Sequence, residues 1–552
     1  MRAAAASVIA AMLFVRLSAH ADSSGAVLWR DNDDLPIAEP AEDNDGDYIW
    51  WDGVHNMTLY PLGKVLDLGH FLRTLGEWAH AVGPAEAANV NALDEAPDST
   101  WYTNRHARRR LSSEAFARGP IAGLPPADDG PLTVLSGKSL GMTPGFVMRD
   151  AKGDRYVVKF DPPALPEVST GAELVCSKIV WALGWNVPEY HLFRFHPERL
   201  VIGPGATSKD EYGRTIPLTS ELLSRLLTRA YRLPDGRLRA VASRFVPGTP
   251  KGSPAMVGTR ADDPNDTVPH EDRRELRGLR VVAAFLNFTD ARRGNFLDSF
   301  VPDSEEPGSG GHLVHYVLDF SSALGSGNTE WKDPKLGNEY LFDPPKVAWR
   351  ALTLGLTEPA WAKLPLTHPA LGYFDSTIFD PERWKTSYLN PLFDHATRRD
   401  EFWGAKVVTS LTDGDLRIAA HAGQWSDPRA ETLLVEILAE RRRRIARAYF
   451  DWRHIDPVDQ FVVEGSTLRF DDLAVVGGVV DASVARYRHR APNGEWIVGA
   501  EPRASLDDQP SGSAVELETS HDGGIRWSPP TEVEVAPRDG SLQVVRVERV
   551  TR

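Results

Sequence analysis

The stretch Leu286–Phe300 reads LNFTDARRGNFLDSF and sets Asp290 and Asn295 five residues apart around a glycine. It closes a run with helical spacing, Arg273–Phe288. A carboxylate and an amide in one loop can carry out chemistry or can simply be solvated, and the spacing Asp-x-x-x-x-Asn occurs often by chance. The segments on either side have to decide between these two interpretations.

Length and composition limit the possible fold classes and partners. A chain of 552 residues exceeds what one hydrophobic core supports, so about two to four folding units are expected. With 42% apolar and 25% charged residues, the composition is that of a globular protein. The net charge of −15 argues against a broad nucleic-acid-binding surface, because phosphate contacts need clustered Lys and Arg. No nucleic-acid partner is therefore predicted.

The first 21 residues have the pattern of an export signal. A positive start is followed by the short apolar run Ala3–Val15 and by the small-x-small site Ala19-His20-Ala21. An amphipathic N-terminus is the alternative. No later stretch reaches the roughly 20 apolar residues that a membrane span needs, so no transmembrane segment is predicted. Cys176 is the sole cysteine, so no intrachain disulfide can form. These features favour an exported protein, periplasmic or secreted.

Periodicity predicts a β-rich front half. Residues 22–130 are mixed and aromatic and are expected to be an N-terminal extension that packs on the core, with a helix at Leu66–Val82. The segment Pro247–Pro254 reads PGTPKGSP and predicts a hinge. The strands predicted between these segments are Leu132–Leu135, Gly145–Met148, Arg155–Phe160 and Leu238–Val246, with one helix at Glu173–Leu183.

The back half has helical periodicity, and short strands return after Asp456. The helices predicted here are Arg273–Phe288, Val347–Leu354, Asp400–Leu411 and Ala430–Trp452. The predicted fold class is α+β. Its predicted units are a signal (1–21), the extension (22–130), a β-rich lobe (131–252), a helical lobe (253–456) and a β-rich C-terminal unit (457–552).

Lys159 and Glu173 are the first candidates for chemistry. Lys159 lies between valines and Phe160 in a predicted strand, where it either faces water or binds phosphate. Glu173 could pair with this lysine from the following helix. Alternatively, Thr170-x-x-Glu173 is a capping box that needs no chemistry, and Glu167 is then the substitute partner.

Phosphoryl transfer also needs a carboxylate that faces the acceptor hydroxyl and oxygen ligands for magnesium. Asp290 is the candidate for the first role, and Asn295 is a candidate metal ligand. The apolar strand His315–Leu318 ends at Asp319, which would supply the second metal ligand. A turn after a buried strand is the alternative explanation for Asp319.

The order of these residues resembles the protein-kinase-like superfamily, particularly its atypical bacterial and secreted branches. That order is strand Lys, helix Glu, hinge, helix, Asp-x-x-x-x-Asn, strand and Asp-Phe. The resemblance implies a two-lobed fold, with ATP and Mg²⁺ as cofactors. The loop Ser136–Gly141 would cover the phosphates through Lys138 and Ser139, although it is not a P-loop. The chain also resembles a family of exported bacterial proteins over Asn89–Asn104, Gly171–Glu189, Gly258–Asp290 and Trp403–Phe450.

Three departures from the kinase pattern stand out. Phe288 occupies the place of a usual His, and Ser321 occupies the place of Gly in Asp-Phe-Gly. A flexible insertion, Asp303–Gly311, lengthens the interval before Asp319. A kinase-shaped binding module without activity and a metal-dependent hydrolase using Asp290 and Asp319 therefore stay open as alternatives. The acceptor, a protein or a small molecule, cannot be identified from the sequence.

Overall fold

The computed structural model describes residues 27–41, 85–137, 143–210, 213–306, 308–354, 356–492, 494–506 and 514–551. The predicted export signal, the helix at Leu66–Val82, and Lys138 and Ser139 lie outside these residues, so the predictions made on them stay predictions. Within the described residues, no helix combines the length and the apolar character needed to cross a membrane. The α+β class predicted from the sequence is confirmed.

A seven-stranded sheet forms the front of the molecule. In spatial order its strands are β4, β7, β3, β2, β1, β5 and β6. The sequence predicted four of them and missed the edge strands β4 and β6 and the strand β5 beside β6. Glycine and proline inside β5 hide its strand character and are tolerated near a sheet edge. The bounds are β1 (Leu132–Gly137), β2 (Gly145–Arg149), β3 (Arg155–Phe160), β4 (Tyr190–Phe195), β5 (Leu200–Lys209), β6 (Thr215–Pro217) and β7 (Leu238–Arg244).

Helices cover both faces of this sheet. Beside the short α1 (Ser113–Arg118), the two covering helices are α2 (Val168–Leu183) and α3 (Ser220–Leu227). Side chains of β3 alternate, so Val158 and Phe160 pack with Leu223 and Leu227 of α3 in one apolar cluster. The other side chains of β3 face α2. Lys159 is one of them, which places it between the sheet and the helical part.

Helix α2 begins five residues earlier than predicted. Asp161 satisfies its first turn by accepting hydrogen bonds from the backbone N–H groups of Ser169 and Thr170, at 2.9 Å each, and from the Thr170 hydroxyl at 2.6 Å. Glu173 therefore lies in the second turn. The alternative that Glu173 forms a capping box with Thr170 is wrong.

The back half is helical, and the four predicted helices are present with ends shifted by a few residues. The helices that contain Gly278 and Trp403 pack closely at its centre, because a Cβ atom on Gly278 would lie 2.5 Å from the Trp403 ring. The bounds are α4 (Arg274–Phe285), α5 (Pro344–Leu352), α6 (Pro391–Asp394), α7 (Arg398–Thr409), α8 (Asp413–His421) and α9 (Pro428–Tyr449).

The predicted hinge, Pro247–Pro254, is attached to the helical part. It contains the short strand β8 (Thr249–Pro250), which pairs with β9 (Phe296–Pro302). The backbone N–H of Lys251 donates to the Asp298 carbonyl at 2.8 Å. Since β9 also pairs with β10 (Gly311–Val317), the segment adds an edge to the hairpin that follows Asn295.

The C-terminal residues form two antiparallel sheets around their own apolar cluster, with the short helix α10 (Leu473–Val476). The first sheet has the order β11-β12-β15 and the second the order β14-β13-β16-β17-β18. The bounds are β11 (Val458–Glu464), β12 (Thr467–Asp472), β13 (Arg486–Arg490), β14 (Ile497–Gly499), β15 (Arg503–Ser505), β16 (Ala514–Ser520), β17 (Thr531–Arg538) and β18 (Ser541–Arg549).

A buried ionic network joins this unit to the N-terminal extension and to the helical part. Asp94 of the extension pairs with Arg274 at 2.9 Å, with Arg399 at 2.8 Å and with Arg549 at 3.3 Å. Arg274 also pairs with Asp400 at 2.7 Å. Burial alone would raise the pKa of Asp94, but the three guanidinium groups outweigh it and lower that pKa well below its usual range.

Asp456, a buried carboxyl group that immediately precedes the C-terminal unit, makes stability depend on pH. Asp456 is fully buried, and burial raises its pKa from 3.8 to about 8, against a weaker effect from the Thr519 hydroxyl. The unfolded chain loses this proton near pH 3.8, whereas the folded chain keeps it to about pH 8. Between these values the free energy of unfolding falls by up to about 1.4 kcal/mol per pH unit.

We therefore expect Asp456→Asn to remove this contribution. Calorimetric unfolding at several pH values should show a shallower loss of stability above pH 4 and a higher melting temperature at pH 8 than the unmodified chain shows. Asp539→Asn changes an exposed carboxyl of the C-terminal unit and serves as the control. An unchanged slope in Asp456→Asn would show that Asp456 is not the group responsible.

Candidate active site

Lys159 is buried, with 6% of its surface exposed, so the alternative that it faces water is wrong. Its ammonium group forms an ion pair with Glu173 and a second one with Asp319 Oδ1 at 2.7 Å. Burial by itself would lower the pKa of Lys159, but Asp319 and Glu173 outweigh this and raise it. The lysine therefore stays positively charged, and its ion pairs link β3 to α2 and to Asp319, in the segment after β10.

Glu173 also holds the backbone beside Asp319. Its Oε2 atom accepts a hydrogen bond from the Phe320 N–H at 3.0 Å, while its Oε1 atom pairs with Lys159. The substitute partner Glu167 does not reach the lysine, because its carboxylate accepts from Ser426 N at 3.0 Å. Both oxygens of Glu173 are thus used to position the lysine and the Asp319–Phe320 peptide.

Asp319 lies in a left-handed backbone conformation, with φ 56°. Its N–H donates to the Tyr190 hydroxyl at 3.3 Å, and its carboxylate accepts from Ser321 Oγ as well as from Lys159. Ser321, the residue that departs from the glycine of the kinase pattern, therefore contacts the candidate metal ligand directly. The Asp319 side chain keeps 30% of its surface exposed, so its carboxylate is reachable from solvent.

Asp290 and Asn295 contact each other. The Asn295 amide donates to the Asp290 carbonyl at 2.6 Å and to its carboxylate at 3.1 Å. Arg292 Nε lies 3.0 Å from the other carboxylate oxygen. Burial raises the pKa of Asp290, which Arg292 opposes and the nearby negative charge of Asp319 reinforces. Because Leu318 N donates to the Asn295 carbonyl at 2.8 Å, the loop lies beside Asp319.

Two buried cationic side chains donate hydrogen bonds to backbone carbonyls beside the loop and hold it in place. Lys332 donates to the Asn287 carbonyl at 2.6 Å, and burial lowers its pKa to about 7. Arg441 of α9 donates to the carbonyls of Phe285 at 2.9 Å and Ala284 at 2.6 Å, which end α4. The helix end and the turn that deliver Asp290 are therefore fixed.

Phe288, the other departure from the kinase pattern, packs in the apolar core. Its ring centroid lies 5.2 Å from that of Phe320, and Tyr190 packs on the other edge of Phe320 at 6.3 Å. An aromatic ring at position 288 therefore keeps the Asp319–Phe320 segment packed on the loop without a polar contact.

The sequence missed several residues of this site. Tyr190, Arg292 and Lys332 contact candidate residues or the backbone beside them, and Asn328 accepts from Ser321 Oγ at 2.8 Å and from Thr143 Oγ1 at 3.2 Å. Arg292 could have been found, because it stands two residues after Asp290. Tyr190 lies 129 residues before Asp319, and Asn328 and Lys332, although they follow Asp319 closely, have no motif around them.

Comparisons with known proteins add little. No protein-family model matches the chain, and no curated protein matches it. Among solved structures the chain is similar to one described as the crystal structure of the Golgi casein kinase with Mn/ADP bound. The identity is 10%, the TM-score is 0.28, and the alignment covers 68% of this chain and 87% of that one. Because this TM-score is low, the function has to be argued from the geometry of the site.

We expect Lys159→Met to destabilise the fold. It leaves Glu173 buried without its cation, and breaking a buried pair from one side costs about 3–5 kcal/mol. The double variant Lys159→Met/Glu173→Gln removes both charges and should regain most of that stability in denaturant unfolding. Lys209→Met, at an exposed lysine, is the control. If the double variant is no more stable than Lys159→Met, the pair is not the source of the loss.

Proposed function

We propose that this protein is a two-lobed, kinase-like phosphotransferase that uses ATP and Mg²⁺ to phosphorylate a hydroxyl group of an acceptor. The observation that carries the proposal is the meeting of Lys159 with Glu173 and with Asp319, which stands 160 residues further along the chain. Asp290 and Asn295 lie beside Asp319, because the backbone N–H of the preceding residue, Leu318, donates to the Asn295 carbonyl. A cation, its positioning acid, a base and two oxygen ligands are the set that phosphoryl transfer needs.

In this proposal the ammonium group of Lys159 binds the phosphates of the nucleotide. Glu173 fixes its position from α2, and the raised pKa keeps it charged over the whole physiological range. Asp290 accepts the proton of the acceptor hydroxyl. Its raised pKa makes it a better base than a solvated carboxylate, and Asn295 and Arg292 hold its orientation.

Asp319 and Asn295 would hold Mg²⁺. The donor set fits, because magnesium prefers carboxylate and amide oxygens, keeps few protein ligands and completes its shell with phosphate and water. The partly exposed carboxylate of Asp319 agrees with this. When bound, the ion offsets the negative charge of the phosphates. Arg292, beside Asp290, would add a further cation on the side of the acceptor.

Particular contacts in the site favour this proposal over two alternatives. A binding module without activity is favoured by Phe288 and Ser321, yet Phe288 packs on Phe320 and Ser321 contacts Asp319, so neither disrupts the site. A metal-dependent hydrolase leaves the pairing of Lys159 with Asp319 unexplained. We further propose that the protein acts after export, in the periplasm or as a secreted protein, as its first 21 residues suggest.

Asp290→Asn should separate catalysis from binding. The carboxylate acts on the acceptor and barely on the nucleotide, so ATP affinity should be unchanged while phosphate transfer falls by about 10²–10⁴-fold. Transfer of labelled phosphate to the protein itself or to added acceptors measures the effect, with ATP affinity from calorimetry. Asp303→Asn changes an exposed carboxylate on the following hairpin and should leave both properties unchanged. Full activity in Asp290→Asn would contradict its role as the base.

ATP and Mg²⁺ should stabilise the protein together and much less when added separately. At a ligand concentration about a hundred times the dissociation constant, binding stabilises the folded state by roughly 2.7 kcal/mol, which raises the melting temperature by a few degrees. Asp319→Ala should lose this joint shift. A hydrolase would instead respond to metal alone, and no response to either would leave the binding module as the better hypothesis.

A further inference from the structure

Helix α5 and the residues beside it expose an unusual amount of apolar surface. Among the described residues, the nine of α5 include no buried one. Leu352 is 77% exposed, and Leu354 and Leu356 are each 86% exposed. We define the apolar ridge as these three residues together with Phe342, Val347 and Trp349, all of them half exposed or more.

The orientation of α5 is the reverse of that of an ordinary surface helix. Arg350 Nη2 donates to both carboxylate oxygens of Glu339, at 2.5 Å each, and Glu339 is buried in the protein. The indole N–H of Trp361 donates to the same carboxylate at 3.0 Å. Arg350 thus faces the protein, while Trp349 and Leu352 face solvent. Surface helices normally turn their apolar side inward.

Ion pairs fix this orientation at both ends of the helix. At the start, Lys385 pairs with the buried Asp343 at 2.8 Å, and the Asp343 carbonyl accepts from Val347 N at 3.0 Å. Further along, Arg350 is tied to Glu339. Rotating the helix to bury Leu352 would break the Arg350–Glu339 pair and would move Asp343, the N-cap residue, away from Lys385, which leaves two buried carboxylates without cations. The ridge is therefore held outward by the fold.

We propose that the apolar ridge is the interface of a symmetric dimer, in which it packs against the ridge of a second copy of this chain. All six side chains are half exposed or more, so the apolar surface they offer is on the order of the 800 Å² that each partner buries in a standard interface. Single exposed patches on monomers are smaller, about 300–600 Å². A ridge that is apolar throughout is complementary to itself across a two-fold axis.

Charge favours a second copy over a lipid surface. Helices that lie on membranes use free Lys and Arg to attract anionic headgroups. Here Arg350 is bound to Glu339, and the chain carries a net charge of −15. Lys346 is then the one cation of α5 without an ion pair among the described contacts.

One cleft is lined both by a residue of α5 and by a residue that contacts the loop of the candidate site. This cleft of about 440 Å³ is lined by Tyr340, Lys346 and Asn390, and Asn390 donates to the Ala291 carbonyl, next to Asp290, at 2.6 Å. The inference itself does not rest on the proposed function, because its test needs no nucleotide.

Sedimentation velocity of the full chain over a range of concentrations tests the proposal. We expect the unmodified chain to form a dimer and Leu352→Glu/Leu356→Glu to weaken it about a hundredfold or more, because four carboxylates would be buried in an apolar contact. Both positions are so exposed that the monomer should fold normally. Ile525→Glu/Val498→Glu places the same charges on exposed apolar residues of the C-terminal unit and should leave the dimer unchanged.

Cross-linking gives an independent measurement. Cys176 is buried and is the sole cysteine, so Leu352→Cys adds one reactive thiol. Oxidation should join two copies quickly through this position and slowly through Ile525→Cys. A monomer at every concentration, a dimer that the ridge variant does not weaken, equal cross-linking at the two positions, or binding of a monomeric chain to neutral lipid vesicles through the ridge would each overturn the proposal.

Discussion

The ammonium group of Lys159, shared between Glu173 and Asp319, is the contact on which the arrangement of the site depends. A buried charge is tolerated only with its partners in place, so the sheet, α2 and the segment after β10 have to meet at one point. Because β10 pairs with β9, and β9 directly follows Asn295, that point also sets the position of the loop that carries Asp290.

The loop is supported by cations that bind backbone carbonyls instead of carboxylates. Arg441 and Lys332 are buried, and burial lowers the pKa of Arg441 to about 9 and that of Lys332 to about 7. The planar guanidinium group of Arg441 holds its donors to these carbonyls in a fixed geometry, whereas the ammonium group of a lysine is a single point with rotatable donors. These contacts explain how the turn that contains Asn287, at φ 50°, stays ordered next to the loop that carries Asp290.

Periodicity and motif order predicted the central strands, the long helices and the candidate residues, because each leaves a local pattern in the sequence. The start of α2 differs from the prediction because Asp161, which accepts hydrogen bonds from the first turn, lies well before the helix and outside any local capping pattern. The burial of Lys159 was left open, since the residues of one strand do not show what covers it. Lys332 and Tyr190 could not be found at all, because only the tertiary fold brings them near the site.

The ion pair between Asp94 and Arg549 joins residues that are 455 positions apart. The backbone makes the same connection, since Val547 N donates to the Ala92 carbonyl at 2.8 Å. During synthesis from the N-terminus, the extension therefore lacks one of the three cations around Asp94 until β18 has been made. Closing so long a loop is entropically costly and slow. Folding of the extension is thereby coupled to that of β18, which lies at the opposite end of the described chain.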